Sequence, residues 1–278
     1  MERYLEIDIL KGIAVTFMVI YHIFYFPNQY GFKEIEYNTL PLKFMARTAQ
    51  FIFITCVGIN LVFSYKISKE KKISDKSYFK KNIKRLVKLG FLALFMTFFT
   101  YFVFGDSYVK FGILHFIAFS SLLLFPFVNN LKIINMIMFV VISLYILNKT
   151  HPEIFLNVPQ DIAFISGFYS KYPAVDHFPL LPWLSLICFG IIIGHKIYDL
   201  KPKLSKSFKN TNLSKFLEKT GKYSLEIYMI HWLIIYLIFC HIYPKYFRQV
   251  PDLSFLNENI IIENQNIISQ NTISQNEI

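Results

Sequence analysis

Apolar positions in this chain come in long blocks, separated by shorter polar or basic stretches. A bilayer-spanning helix takes about 20 mainly apolar residues. The blocks that fit are Ile9–Phe26, Phe44–Tyr65, Val87–Phe104, Phe111–Val128, Ile133–Leu147, Leu180–Tyr198 and Ser224–Ile242. The pattern predicts an all-α fold: a polytopic integral membrane helix bundle with about seven transmembrane helices. The fifth block is short for a span. A half-apolar segment, Asp161–Tyr169, is expected to lie along the surface or dip partway in. Residues 1–245 read as one membrane domain. Residues 246–278, rich in Asn, Gln and Ile, read as a low-complexity, disordered tail outside the folded unit.

Composition sharpens this picture. The chain is 54% apolar, with 31 Phe and 18 Tyr, above the roughly 45–50% of soluble domains. The net charge of +11 raises nucleic acid as a partner, but the basic residues are placed by topology. With the N-terminus in the cytoplasm, segments 1–11, 66–88, 129–132 and 195–222 are cytoplasmic and hold 21 of the 29 Lys and Arg residues. The expectation is a multi-pass protein in a lipid bilayer, N-terminus inside and C-terminus outside, without nucleic acid. The first block reads as a retained span rather than a cleaved signal. Cys56, Cys188 and Cys240 each lie within an apolar block, with neither a disulfide framework nor zinc spacing.

Titratable residues inside such blocks are functional-site candidates. His115 sits in Phe111-Gly-Ile-Leu-His115, one turn into the fourth block. At about 100° per residue, Asp8, Lys11, Val15 and His22 share a stripe on the first helix. Asp8 and His22 are then roughly 21 Å apart along the axis. Asp8 and Lys11 read equally well as an interfacial pair. Arg47 and Gln50 open the second helix, Asp176 and His177 precede the sixth, and Ser224, Tyr228 and His231 form a stripe on the seventh. In this topology His22, Arg47, His115, Asp176 and His177 fall in the outer half, with His231 near mid-membrane. A histidine there suits proton abstraction from an amine or hydroxyl attacking an activated acyl donor, with an aspartate to orient the ring. No serine or cysteine pairs with a histidine for a covalent acyl-enzyme, and no metal-ligand spacing is present. Two other classes fit the same residues: a proton-coupled transporter of a small anion or lipid-linked sugar, and a non-catalytic membrane subunit.

At these residues the chain resembles the heparan-alpha-glucosaminide N-acetyltransferase catalytic-domain family, in its compact microbial form. The matching motifs are Arg3-x4-Asp8-x2-Lys11-Gly12, Met18-x3-His22, Phe111-Gly-Ile-Leu-His115, Asp176-x-Phe178-Pro-Leu-x-Pro-Trp183 and Gly221-Lys-x-Ser224-Leu-x-Ile-Tyr228-x2-His231. They run in family order over about residues 3–242. The resemblance implies a membrane acyltransferase that takes acetyl-CoA from the cytoplasmic side and acetylates a sugar or glycan amine or hydroxyl outside, with no metal. Taken with the residue pattern, it makes His22, His115 and Asp176 the candidate catalytic residues, and Arg47, His177, Trp183, Tyr228 and His231 the candidates around the acceptor. Arg3, Lys11, Arg85 and Lys222, with Asp8 beside Lys11, are the candidates for holding coenzyme A. A homodimer is compatible with it. In one respect the chain departs from the family. The lysosomal member carries its catalytic histidine in the loop after helix 1, and the corresponding loop here, Pro27–Lys43, has none. Either the base role falls to His22, His115 or His177, or the chain is not an acetyltransferase.

Overall fold

The computed structural model describes residues 4–29, 36–104, 108–168, 176–200 and 211–242. Arg3 and the 246–278 tail lie outside the described residues. The helices are α1 Leu5–Gln29, α2 Leu40–Glu70, α3 Asp75–Phe104, α4 Ile113–Leu124, α5 Leu131–Thr150, α6 Gln160–Ser166, α7 Leu180–Leu200, α8 Asn212–Lys222 and α9 Ser224–Ile242. Among the described residues the only β contact is a bridge between Phe111 and His177. Six helices are long and apolar enough to cross a membrane, and the shorter apolar helix Ile113–Phe127 makes a seventh candidate. The protein is a multi-pass membrane helix bundle.

Some elements depart in length from the apolar blocks, for local reasons. α3 begins at Asp75, well before the apolar block, because the intervening Lys- and Arg-rich stretch consists of good helix formers. α5 reaches 20 residues because Asn130 caps its start, its side chain accepting from the Ile133 amide at 3.2 Å. α4 has only 12 residues and passes into a 3-10 turn at Phe125–Phe127, where Pro126 cannot continue an α-helix. The half-apolar segment forms the seven-residue α6, ended by Gly167 at φ 94°. α8 occupies part of what the residue pattern reads only as a basic connection. Thr211 caps it, accepting from the Ser214 amide at 3.1 Å.

Lipid inverts the usual sidedness of a helix. On α3, Val87, Phe91, Leu94, Phe98 and Phe102 form an exposed apolar stripe about one turn apart. The hub of the bundle is α2, whose spanning window is 61% buried, against 11% for the peripheral α5. α2 packs on α7 through glycines. A methyl group at Gly58 would lie 2.7 Å from the Ile191 nitrogen, and one at Gly194 would lie 3.1 Å from the Ile59 Cα. Small residues let the two backbones approach, which is how helices associate without a hydrophobic drive. α8 uses the same device on α1. A Cβ on Gly12 would collide with the Leu217 carbonyl, and one on Gly221 with the Asp8 carbonyl. Gly12 and Gly221 of the sequence motifs thereby pin α8 to the first turns of α1.

Candidate active site

One cavity of ≈ 310 Å³ opens between α1, α2, α3, α9 and the segment before α7. It uses the C-terminal half of α1, the N-terminal half of α2, the end of α3 and the approach to α7. These all lie on the side of the bundle opposite the start of α1. His22, Asp176, His177, Tyr228 and His231 line it, so residues from three separate stretches meet there, while Arg47 and His115, expected in the same layer, do not line it. Its deepest α1 residue is Ala14, about one helical turn from Lys11.

His22 and His231 form the centre, with ring centroids 4.9 Å apart. Each imidazole is tied to its own helix. His22 Nδ1 is 2.8 Å from the Met18 carbonyl, and His231 Nδ1 is 2.8 Å from the Tyr228 carbonyl. A carbonyl only accepts, so Nδ1 carries the proton in both rings and Nε2 keeps its lone pair. This is the tautomer a general base needs. Tyr21 and Tyr25 pack edge-on against His22 at 5.5 and 6.0 Å. In α1 the ring is thus oriented by a backbone carbonyl one turn back, not by a carboxylate.

Asp176 stands at the rim. Its Oδ2 accepts from the Ile113 amide at 3.2 Å and from the Tyr228 hydroxyl at 3.5 Å. The first contact satisfies an orphan amide at the start of α4, where a carboxylate also meets the positive end of the helix dipole. A side chain at position 112 would collide with this carboxylate, which explains the glycine in Phe111-Gly112. The Phe178 amide donates to the Phe111 carbonyl at 3.0 Å, locking the segment in place. Burial raises the Asp176 carboxyl to about 6, against the opposing pull of its two hydrogen bonds. His177 lies flat on Phe164, centroids 4.0 Å apart, and its Nε2 donates to the Phe164 carbonyl at 2.7 Å. Burial lowers its pKa, which that carbonyl partly offsets.

Other sequence candidates sit elsewhere. His115 does not line the cavity. Its Nε2 is 3.1 Å from Thr97 Oγ1, whose own hydrogen goes to the Val109 carbonyl at 2.8 Å, and its Nδ1 accepts from the Gly112 amide at 3.3 Å. Both ring nitrogens are spent joining α3 to the start of α4. Trp183 packs against Phe178, centroids 5.2 Å apart, and supports the wall from behind. Arg47 is exposed and donates to Gln50 Oε1 at 3.1 Å; Gln50 in turn lines the cavity. On the opposite side of the bundle, Lys11 donates to a buried Asp8 at 3.1 Å. Arg85 and Lys222 are exposed on that side as well and do not line the cavity. No group of three or more His, Cys, Asp or Glu with metal-site geometry occurs among the described residues.

The cavity also holds residues that the sequence reading passed over, above all Tyr25 and Trp232. Tyr25 is three residues past His22 on the same helix face, a signal present in the sequence. Trp232 directly follows His231, and no periodicity argument singles it out.

A family model described as heparan-alpha-glucosaminide N-acetyltransferase, catalytic, matches residues 3–233. No curated protein and no solved structure matches the chain. The family match spans most of the chain, includes every element that lines the cavity and implies a membrane acyltransferase. The chain therefore belongs to the heparan-alpha-glucosaminide N-acetyltransferase catalytic-domain family.

Proposed function

We propose that this protein moves an acetyl group from acetyl-CoA, presented from the cytoplasmic side, to an amine or hydroxyl of a sugar or glycan on the outer side, with His22 as general base. The observation that carries the reading is the His22 ring itself. Its Nδ1–H is committed to Met18, and its Nε2, left with a free lone pair, belongs to a residue lining a cavity between helices. In the reaction, the acceptor oxygen or nitrogen attacks the thioester carbonyl while Nε2 takes its proton. The carbon–sulfur bond then breaks, and the proton returns to the leaving coenzyme A thiolate.

The cavity volume, ≈ 310 Å³, is at the lower end for small-molecule sites. It suits the two reacting ends and not the whole donor. The body of coenzyme A would lie on the basic side, where Lys11, one turn below Ala14, is the nearest cation on α1. Arg3, Arg85 and Lys222 are further phosphate partners in this reading. Asp176 holds the start of α4 and the Tyr228 hydroxyl, and so fixes the rim through which the acceptor enters. His115 supports that rim from the α3 side.

The test uses purified protein in detergent with acetyl-CoA labelled in the acetyl group and a panel of glucosaminides and hexosides. Label should appear on a sugar with stoichiometric release of free thiol, and His22→Ala should abolish it. Full transfer by a folded His22→Ala protein would overturn the assignment.

A further inference from the structure

α8 carries more than the face that packs on α1. At about 100° per residue, Ser214, Leu217 and Gly221 form one stripe, Leu213 and Phe216 a second about 100° round the helix, and Lys215, Lys219 and Lys222 a third about 130° beyond that. The first stripe is buried, with Leu217 and Gly221 in backbone contact with α1. The second is bare: Leu213 is 60% exposed and Phe216 54%. Thr220, at its edge towards α1, turns its hydroxyl back onto the Phe216 and Leu217 carbonyls at 3.1 and 3.0 Å. In the third stripe Lys222 lies over the Tyr223 ring, 5.6 Å from its centroid, while Lys215 and Lys219 are exposed. Glu218 is the one acid on the helix.

The contacts of α8 also fix its depth. Gly221 meets α1 at Asp8, and Leu217 meets it at Gly12. Asp8 and Lys11 form the ion pair at the start of α1, and from Gly12 to Gln29 the helix has no Asp, Glu, Lys or Arg. α8 therefore crosses α1 where charge gives way to apolar span, and Tyr223 alone separates it from the spanning α9. A helix at that boundary, with Leu and Phe on one side and lysines on another, has the make-up of one that lies in the bilayer interface. We propose that α8 is a docking surface for anionic phospholipid. Leu213 and Phe216 enter the acyl boundary, and Lys215 and Lys219 meet the headgroup phosphates. Both lysines point well away from the face that α8 packs on α1, so they reach lipid and not the mouth below Ala14. The lipid thereby holds α8 down on the first turns of α1. The inference rests on α8 and the spanning helices, and stands whether or not the protein transfers acetyl groups.

The test counts bound lipid on the full chain by native mass spectrometry, after exchange into micelles holding equal phosphatidylglycerol and phosphatidylcholine. Wild type should retain phosphatidylglycerol in preference. Lys215→Gln with Lys219→Gln should lower that preference on the order of tenfold, and Lys215→Arg with Lys219→Arg should keep it. Should the glutamine pair not fold, spin labels read the same surface in nanodiscs of the two lipids, with Cys240 replaced by serine. A label on Leu213→Cys should be relaxed by oxygen dissolved in the bilayer, and one on Lys215→Cys by an aqueous nickel chelate. Equal retention of the two lipids by wild type, or an unchanged preference in the glutamine pair, would overturn the proposal. So would a label at position 213 that the nickel chelate reaches, or one shielded from both agents, which marks a protein partner. A glutamine pair that keeps its lipid preference but binds acetyl-CoA more weakly by calorimetry would assign the lysines to the donor and overturn it too.

Discussion

A histidine becomes a base only when one nitrogen is anchored and the other is free. That separates the histidines of this protein more sharply than their depths do. His22 meets the condition through Met18, whereas His115 spends both nitrogens on Thr97 and Gly112. His22→Ala should therefore lower kcat by about 10²-fold or more with the fold retained. His115→Asn should mainly lower the apparent Tm, leaving KM near wild type; steady-state kinetics and thermal unfolding on the same preparations separate the two. Asp176 gives a pH signature. Its carboxyl is raised from 3.8 to about 6 in the folded protein. The folded state then holds a proton that the unfolded chain loses between these values, so stability drops as pH rises from about 4 to 6. The apparent Tm of wild type minus that of Asp176→Asn should fall over that interval and be flat above it. A constant difference across the range would contradict the burial of this carboxyl. That His22, Tyr228 and His231 turn towards protein was legible in the sequence, because polar groups within apolar blocks must face protein or water. The spending of His115 was not, because it depends on Thr97, whose role appears only when α3 meets α4. Trp232 was hidden because an aromatic residue in a spanning helix is unremarkable until the cavity it lines is known.

At the scale of elements, lipid makes the spans easy to read and their contacts hard. All seven apolar blocks became helices, since a backbone in hydrocarbon must satisfy itself. What the blocks do not encode is which glycines touch. Gly58 and Gly194 bring α2 and α7 together, and Gly12 and Gly221 seat α8 on α1. Leu in place of Gly58 should force the hub pair apart and destabilise by about 1–3 kcal/mol, read as a lowered apparent Tm in detergent; a Gly90→Leu control, at a position with nothing within 4 Å, should leave it unchanged. α8 escaped the residue pattern because its buried face is Ser214, Leu217 and Gly221, two small residues and one leucine, among lysines. Such a face reads as a solvated linker until the α1 surface that accepts it is known.

At the scale of the whole molecule, the bundle sets a cavity on one side and a concentration of positive charge on the other. We propose, by the positive-inside rule, that the basic side faces the cytoplasm. Single cysteines test this directly in intact cells: Lys149→Cys, at the end of α5, should react with a membrane-impermeant maleimide, and Lys76→Cys, at the start of α3, should react only after lysis. Of the native cysteines, Cys56 and Cys188 are buried and give little background, and the partly exposed Cys240 is replaced by serine in both proteins. The proposed transfer of acetyl through this bundle, from a donor on one side to an acceptor on the other, uses His22 as general base. Its most direct measurement is made in sealed, oriented proteoliposomes, with labelled acetyl-CoA on the side of Lys76 and a glucosaminide on the side of Lys149. Acetylated sugar should appear on the Lys149 side with wild type and not with His22→Ala. Labelled sugar formed equally by the His22→Ala protein, or formed only when donor and acceptor share one compartment, would contradict it.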